Sequence, residues 1–242
     1  MRYSNVNIIK KERKIIEKLA KSVLILYFSL VAICMASLVI INSTWIYKVV
    51  IKKYNLTSIT GISEKALMSE YRGLINYLQN PFVDKLKFDN FVMSTYGEVH
   101  FYEVKRIFIA LIIIVTIFMV GLIGWFIFNK YQKGLINIRG LLRGFNNSAN
   151  LLIIFLIGIV ILYFIDFSWA FIMFHKIFFK NDYWIFDPVI DPIIMALPEE
   201  LFMICGGGIL ILLLIMIIAV KYFYYRNRNN IKSYSENNNI EI

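Results

Sequence analysis

Residues 107–128 read IFIALIIIVTIFMVGLIGWFIF and contain no charged side chain. At about 1.5 Å per residue, a helix of about 20 such residues crosses the roughly 30 Å of hydrocarbon in a bilayer. Three further segments are similarly apolar, and we predict membrane-spanning helices at residues 22–41, 107–128, 151–170 and 202–221. The first segment could instead be a signal peptide, but its length and the lack of a clear small-residue cleavage site favour a retained span. The sequence therefore predicts an all-α membrane protein with four transmembrane helices in residues 22–221.

The composition supports a membrane protein and argues against a nucleic-acid-binding protein. Of the 242 residues, 59% are hydrophobic, and the mean hydropathy is +0.66, whereas soluble domains are about 45–50% apolar. The net charge of +10 comes from basic residues beside apolar segments, where they set topology and contact anionic headgroups. We therefore expect membrane lipids, and no nucleic acid, as partners. Cys34 and Cys205 lie inside apolar segments and are expected to be packed there without a disulfide.

The distribution of charge predicts the orientation of the four spans. Residues 1–21 carry seven Lys and Arg residues, and the connection 129–150 carries four and no acid. The connection 171–201 has two Lys against five Asp and Glu. The positive-inside rule then places both termini in the cytoplasm and the connections 42–106 and 171–201 outside the cell. The connection 42–106 does hold nine Lys and Arg, but it is near the length at which this rule weakens.

The two ends of the chain differ in character from the membrane domain. Isoleucines alternate with Lys and Arg over residues 8–19, so we predict that residues 1–21 form a cytoplasmic basic amphipathic segment. Residues 222–242 are predicted to be a disordered cytoplasmic tail, because residues 227–242 are rich in Asn.

The two outward connections are predicted to form a helical, partly membrane-apposed extracellular cap. In the first, Ser63 is a plausible N-cap, and the Asn80-Pro81 pair ends the helix. Between them, apolar side chains recur at helical spacing: Leu67, Tyr71, Leu74, Ile75 and Leu78. The second connection contains three prolines, which exclude one regular helix. It is also too apolar for a solvated loop, so it should fold back, with Asp187 and Asp191 turned toward polar partners.

The only two histidines, His100 and His175, lie at the same predicted membrane face, and each has carboxylates and a basic residue nearby. Thr95 and Glu98 fit a capping box, and the helix they begin would continue as the span 107–128. His100 would then lie about two turns above the hydrocarbon. Histidine exchanges protons near neutral pH, and ionisable groups at membrane depth are functional candidates. The pair therefore predicts proton-transfer chemistry at the extracellular face.

Neither a serine in a nucleophile elbow nor a cysteine at the outer face offers itself as a nucleophile. A substrate that carries its own nucleophile, such as an amine, would need only a base and donors to the oxyanion. Two alternatives stay open at this point. One is a metal-dependent membrane hydrolase with His100 and His175 as ligands, although their spacing matches no metal signature. The other is a non-catalytic membrane partner or sensor.

Four further residues are candidates for a supporting role: Glu103, Lys105, Asp182 and Asp187. Glu103 follows His100 by three residues and so lies on nearly the same helix face. The acids can instead orient a loop or a histidine, or pair with Lys105 or Lys180. The sequence contains no recognisable metal or cofactor motif, and we expect neither.

Two stretches resemble the signatures of the bacterial lipoprotein intramolecular transacylases. Residues 94–105, STYGEVHFYEVK, resemble the first signature. Residues 174–184, FHKIFFKNDYW, together with the Asp-Pro pairs at 187–188 and 191–192, resemble the second and more specific one. The four-span layout agrees along nearly the whole chain. Glu103 departs from the pattern, in which Asp is expected, but it keeps the charge.

The resemblance implies an acyltransferase of the Gram-positive cell membrane that acts on diacylated lipoproteins. It would move the sn-2 acyl chain of the S-diacylglyceryl group to the α-amine of the N-terminal cysteine and give a lyso-form lipoprotein, without a cofactor. The family's two essential histidines would correspond to His100 and His175. One would deprotonate the amine, and the other, helped by Lys105 or a backbone donor, would stabilise the oxyanion or protonate the leaving alkoxide. Which histidine does which is not decided by the sequence.

Overall fold

A computed structural model describes residues 2–131 and 138–227 of the chain, with side chains for 12–131 and 140–227. Within these ranges the chain is helical, in agreement with the predicted fold class. The helices are α1 (Arg2–Asn42), α2 (Thr44–Lys53), α3 (Leu56–Thr60), α4 (Glu64–Gln79), α5 (Thr95–Tyr131), α6 (Ile138–Ile165), α7 (Phe167–Phe178) and α8 (Glu199–Arg226), with a short 3₁₀ helix at Pro192–Met195.

The four predicted spans are confirmed as long apolar helices. Helices long and apolar enough to cross a membrane cover Glu12–Asn42, Thr95–Tyr131, Gly140–Ile165 and Glu199–Arg226. The predicted end of the third span at Ala170 is wrong, because α6 ends at Ile165. Asp166 adopts an extended backbone, and its side chain accepts a hydrogen bond from the Trp169 backbone N–H at 2.8 Å. It is thus the N-cap of a separate helix, α7.

At the C-terminal end, α8 continues through Arg226. Residues 222–226 are therefore helical, whereas the sequence predicts a disordered tail from residue 222. The remainder of that prediction, at residues 228–242, lies outside the described residues. At the other end, residues 2–21 belong to α1, and the amphipathic role of residues 1–21 stays a prediction.

The chain divides into two compact units, and the long helices contribute to both. Among the described residues, the first unit draws on 2–33, 120–131, 138–157 and 213–227. In it, the Ser148 hydroxyl donates to the Ile25 carbonyl at 3.0 Å, and Lys221 donates to Asn146 at 3.0 Å and to Asn150. These bonds satisfy polar groups between apolar helices.

The second unit comprises Cys34–Met119 and Gly158–Leu212, and its core lies between α2 and α4. Tyr47 and Tyr71 stack with their ring centroids 4.3 Å apart. The Tyr47 hydroxyl donates to the Ala196 carbonyl at 2.9 Å, and the Tyr71 hydroxyl donates to the Ile41 carbonyl at 3.2 Å. Burial raises the pKa of both tyrosines, so both hydroxyls keep their protons and act as donors.

Helix α4 is confirmed as predicted. The Ser63 side chain accepts a hydrogen bond from the Ala66 N–H at 3.3 Å, and the helix ends at Gln79, just before Asn80. All five predicted apolar residues are buried. Glu70 is buried as well and accepts three hydrogen bonds from Asp89 and Asn90. This carboxylate fixes the connection that leads into α5.

Candidate functional site

The start of α5 is held by a buried carboxylate, Asp191, which is 5% exposed. Its oxygens accept hydrogen bonds from the Ser94 N–H at 2.6 Å and the Ser94 hydroxyl at 2.7 Å. The Ser94 hydroxyl oxygen in turn accepts from the Gly97 N–H at 3.0 Å. Ser94 is therefore the N-cap, and the predicted capping box of Thr95 and Glu98 is wrong by one residue. A Cβ on Gly97 would lie 2.7 Å from Asp191 Oδ1, so the close approach requires glycine here.

His100 lies in the second turn of α5 and is 6% exposed. Its ring lies edge-on to Phe179, with centroids 4.8 Å apart, and edge-on to Phe186 at 5.5 Å. Among the described residues, His100 Nδ1 has no hydrogen-bond partner. A buried ring nitrogen without a partner is costly, so this nitrogen is available for a hydrogen bond to a molecule that enters the site.

His175 lies in the last turn of α7 and is also buried. Its Nδ1 lies 2.8 Å from the Phe171 carbonyl oxygen. A carbonyl can only accept, so Nδ1 carries the proton and Nε2 of the neutral ring holds the lone pair. Burial lowers the pKa of the His175 imidazole from its ordinary value of 6.5, and the bond to Phe171 opposes this in part. His175 is therefore neutral at physiological pH, with a basic nitrogen available.

The structure brings the two histidines together, with ring centroids 6.0 Å apart and the ring planes inclined by 34°. Aromatic rings enclose them: Trp184 stacks on His175 at 4.7 Å, and Phe179 lies 5.6 Å from the same ring. In so dry a site two imidazolium ions would repel strongly, so at most one ring is protonated at a time. The pair can therefore touch one ligand and exchange a proton with it.

Glu103 lies on α5 one turn beyond His100. Its Oε1 accepts a hydrogen bond from the Asn181 side-chain amide at 3.0 Å. Within the described part of the chain, its other oxygen, Oε2, is buried without a hydrogen-bond partner. The carboxylate thus ties α5 to the segment that carries Trp184 and keeps one oxygen free.

Lys105 is buried, but its contacts point to a structural role. The ammonium group donates to the Val83 carbonyl and lies 4.5 Å from the centroid of the Tyr77 ring. It therefore attaches α5 to the preceding connection and to α4. These contacts use one of the three N–H donors of the ammonium group, and the described residues show no ion pair between Lys105 and Glu103. A role of Lys105 at the oxyanion stays a prediction.

The other two predicted supporting residues are exposed. The Asp187 carboxylate accepts from the Val189 N–H at 2.8 Å in a local turn. Asp182 contributes its backbone carbonyl to a turn with Ile185. Both shape the connection between α7 and α8, and neither contacts an imidazole through a hydrogen bond between described residues.

Two residues of the site were missed as candidates. The sequence predicts for Asp191 only a polar partner, and it assigns Trp184 no role beyond membership of the second signature. The Trp184 indole N–H is buried and has no hydrogen-bond acceptor in the described ranges. The aromatic density of residues 174–186 was the signal that could have found Trp184, because stacking needs a flat partner for the His175 ring.

The residues present do not favour a metal centre. Across the described ranges, no group of three or more His, Cys, Asp and Glu side chains is placed to hold a metal ion. Zinc sites in catalysis use three protein ligands. The pair of imidazoles within an aromatic wall suits proton transfer instead.

The described residues form four helices long and apolar enough to cross a membrane, together with a buried pair of imidazoles that could exchange protons with a ligand. Residues 22–202 match the family model of the lipoprotein intramolecular transacylase Lit. The chain belongs to this family and is therefore an acyltransferase. Membership of this family does not favour the two alternatives that the sequence leaves open, a metal-dependent hydrolase and a non-catalytic membrane partner or sensor.

Solved structures of a transacylase of the same family also resemble this chain. The chain resembles the in meso structure of the membrane integral lipoprotein intramolecular transacylase Lit from Bacillus cereus, with 28% identity and a TM-score of 0.77, over 90% of this chain and 98% of that one. A second structure of the same enzyme, with one histidine replaced by alanine, matches at 28% identity with a TM-score of 0.71, over 92% of this chain and 98% of that one. No curated protein sequence matches the chain significantly.

Proposed function

We propose that His100 and His175 carry an intramolecular O-to-N acyl transfer in a diacylated lipoprotein. The sn-2 acyl chain of the S-diacylglyceryl group moves to the α-amine of the N-terminal cysteine, and the product is the lyso-form lipoprotein. The observation that carries this proposal is the buried pair of imidazoles with centroids 6.0 Å apart. That separation lets both rings contact one reacting centre.

The base in this proposal is His175. The Phe171 carbonyl fixes its tautomer, so Nε2 can accept a proton from the α-amine, whose pKa is about 8. The first proton, taken from the ammonium form, is released to solvent from His175. The neutral amine then attacks the sn-2 ester carbonyl, the new N–C bond forms, and the nitrogen gives up a second proton to an imidazole. That proton is delivered to the glyceryl oxygen as its C–O bond breaks, and His100 assists this delivery in the proposal. General acid–base catalysis of this kind contributes about 10²–10⁴-fold.

The substrate supplies both reacting groups, and this explains how a small site suffices. Because ester and amine belong to one molecule, orientation by the aromatic wall lowers the barrier by several kcal/mol without a cofactor. Trp184 and Phe179 both pack against the His175 ring. These contacts restrict the rotation of the imidazole that acts as the base.

The test is conversion of a synthetic diacylated lipopeptide by purified His100→Gln and His175→Gln variants. Substrate and product are isomers of equal mass, so tandem mass spectrometry must locate the acyl chain on nitrogen. We expect each variant to lose about 10²–10⁴-fold in rate while its melting temperature shows that it is folded. Full conversion by a folded variant would remove that histidine from the mechanism.

We further propose that the site faces outward and that both termini are cytoplasmic. The support is the charge balance: four Lys and Arg with no acid in the connection 129–150, against five acids and two Lys in 171–201. In this proposal, the lipid of the diacylated lipoprotein lies in the outer leaflet of the cell membrane. The sn-2 ester then lies at the same membrane face as the two histidines.

A further inference from the structure

Glu103 has a buried carboxylate oxygen without a hydrogen-bond partner among the described residues, one helical turn from His100 on α5, and the chemistry described above does not use it. One oxygen, Oε1, is fixed by the Asn181 amide at 3.0 Å. The other, Oε2, is screened from solvent and accepts no hydrogen bond from any described residue. Desolvating a carboxylate oxygen without a partner costs free energy. A ligand that donates to Oε2 would recover that cost.

The cation on the same helix does not serve this oxygen. Lys105 directs its ammonium group to the Val83 carbonyl and the Tyr77 ring. The Asn181 amide oxygen also has a use, since it accepts from the Tyr183 N–H at 3.1 Å. Asn181 is therefore fixed on both sides and holds Glu103 in one orientation. These two hydrogen bonds fix the orientation of the Glu103 carboxylate and therefore the position of Oε2.

The position of Glu103 relates it to both imidazoles. It follows His100 by three residues, so the two side chains share a face of α5. Its partner Asn181 belongs to the segment that places Trp184 on the His175 ring at 4.7 Å. A group bound at Oε2 would thus lie at the wall of the same aromatic site, where ring faces also attract cations.

We infer that Glu103, oriented by Asn181, is the binding site for the α-ammonium group of the lipoprotein substrate. This inference rests on the proposed function. A primary ammonium carries a full positive charge and three donors, which matches a buried carboxylate oxygen without a partner. Once bound, the ammonium passes one proton to an imidazole nitrogen, which releases it to solvent, and the nitrogen lone pair attacks the ester carbonyl. The nitrogen then gives up a second proton, which an imidazole delivers to the glyceryl oxygen as its C–O bond breaks.

The same contact distinguishes substrate from product. After acyl transfer the nitrogen is an amide, which has no charge and a single N–H, so its attraction to the carboxylate is largely lost. Glu103 then favours entry of the free amine and exit of the N-acylated product. It is a specificity-determining residue for the reaction.

The test measures binding with ligands that cannot react. The probes are a lipopeptide whose sn-2 ester is replaced by an ether, with a free α-amine, and the same compound acetylated on that amine. We expect the wild-type enzyme to bind the free-amine form at least tenfold more tightly and Glu103→Gln to bind both forms equally. Glu103→Asp, which keeps the charge, should retain the preference. The matched control is Glu98→Gln, because Glu98 is a partly exposed acid of the same helix whose carboxylate lies 3.9 Å from the Lys85 ammonium group.

Retention of the preference by folded Glu103→Gln, or its absence in the wild type, overturns the inference. If the Gln variant does not fold, Glu103→Ala gives the same comparison. Conversion of the ester lipopeptide by wild type is followed in parallel by tandem mass spectrometry. Conversion with retained discrimination in Glu103→Gln refutes only the ammonium site, whereas absence of conversion refutes the proposed function.

Discussion

Replacing Asp191 by alanine should destabilise the start of α5. The carboxylate is 5% exposed and accepts two hydrogen bonds from Ser94, at 2.6 and 2.7 Å. A hydrogen bond to a charged group contributes about 1.5–3 kcal/mol, so the loss of both costs at least about 3 kcal/mol. For a protein of this size 1 kcal/mol shifts the melting temperature by about 2–4 °C. We therefore expect Asp191→Ala to melt about 6–12 °C below the wild type.

The consequence for activity follows from the position of His100, two turns into the same helix. We expect Asp191→Ala to lose acyl transfer at temperatures at which it is still folded. Asp191→Asn keeps one acceptor and should lose about half as much stability. The assay is thermal unfolding in detergent, followed by tandem mass spectrometry of a lipopeptide.

The matched control is Asp187→Ala, because Asp187 is exposed and serves only a local turn with Val189. Its melting temperature should stay close to that of the wild type. If Asp191→Ala melts within about 2 °C of Asp187→Ala, the proposed anchoring of α5 is wrong.

Two more outcomes are expected. Since burial lowers the pKa of His175 from its ordinary value of 6.5 and the base must be neutral, the acid limb of the kcat profile should be centred below pH 6.5; an acid limb centred at or above about pH 7 would contradict a buried, neutral base. For topology, Phe82 and Tyr131 are 91% and 82% exposed. In a background with Cys34 and Cys205 replaced by alanine, an impermeant maleimide should label Phe82→Cys in intact cells and Tyr131→Cys only after permeabilisation, and the reverse pattern would invert the orientation.

Local patterns in the sequence were sufficient for most of the fold. The spans follow from composition, and α4 follows from its N-cap and a helical period. The end of the third span was missed because the apolar run continues to Ala170, and an aspartate such as Asp166 can either end a span or begin a helix. The N-cap of α5 was misplaced by one residue because Ser94 and Thr95 are both good caps. The contact with Asp191 decides between them.

The site was predictable only as far as its residue types. The two histidines were identified because they are rare and lie at one face. Asp191 was not recognised, since its partner Ser94 is 97 residues away in sequence and no periodicity connects them. The contacts of Lys105 were missed for the same reason, because Val83 and Tyr77 approach it only once the connection has folded. Contacts between residues distant in sequence therefore decide which charged side chains stabilise the fold and which are available for chemistry, and sequence patterns do not show these contacts.

The aromatic wall around the imidazoles has a consequence for the choice of nucleophile in the proposed reaction. A water molecule next to a basic imidazole would cleave the ester and release a free fatty acid. Phe179 and Phe186 lie against the His100 ring, and Trp184 stacks on the His175 ring, so the surfaces next to both rings are apolar. Because exclusion of water from a closed site suppresses hydrolysis, such a lining favours attack by the amine of the substrate over attack by water.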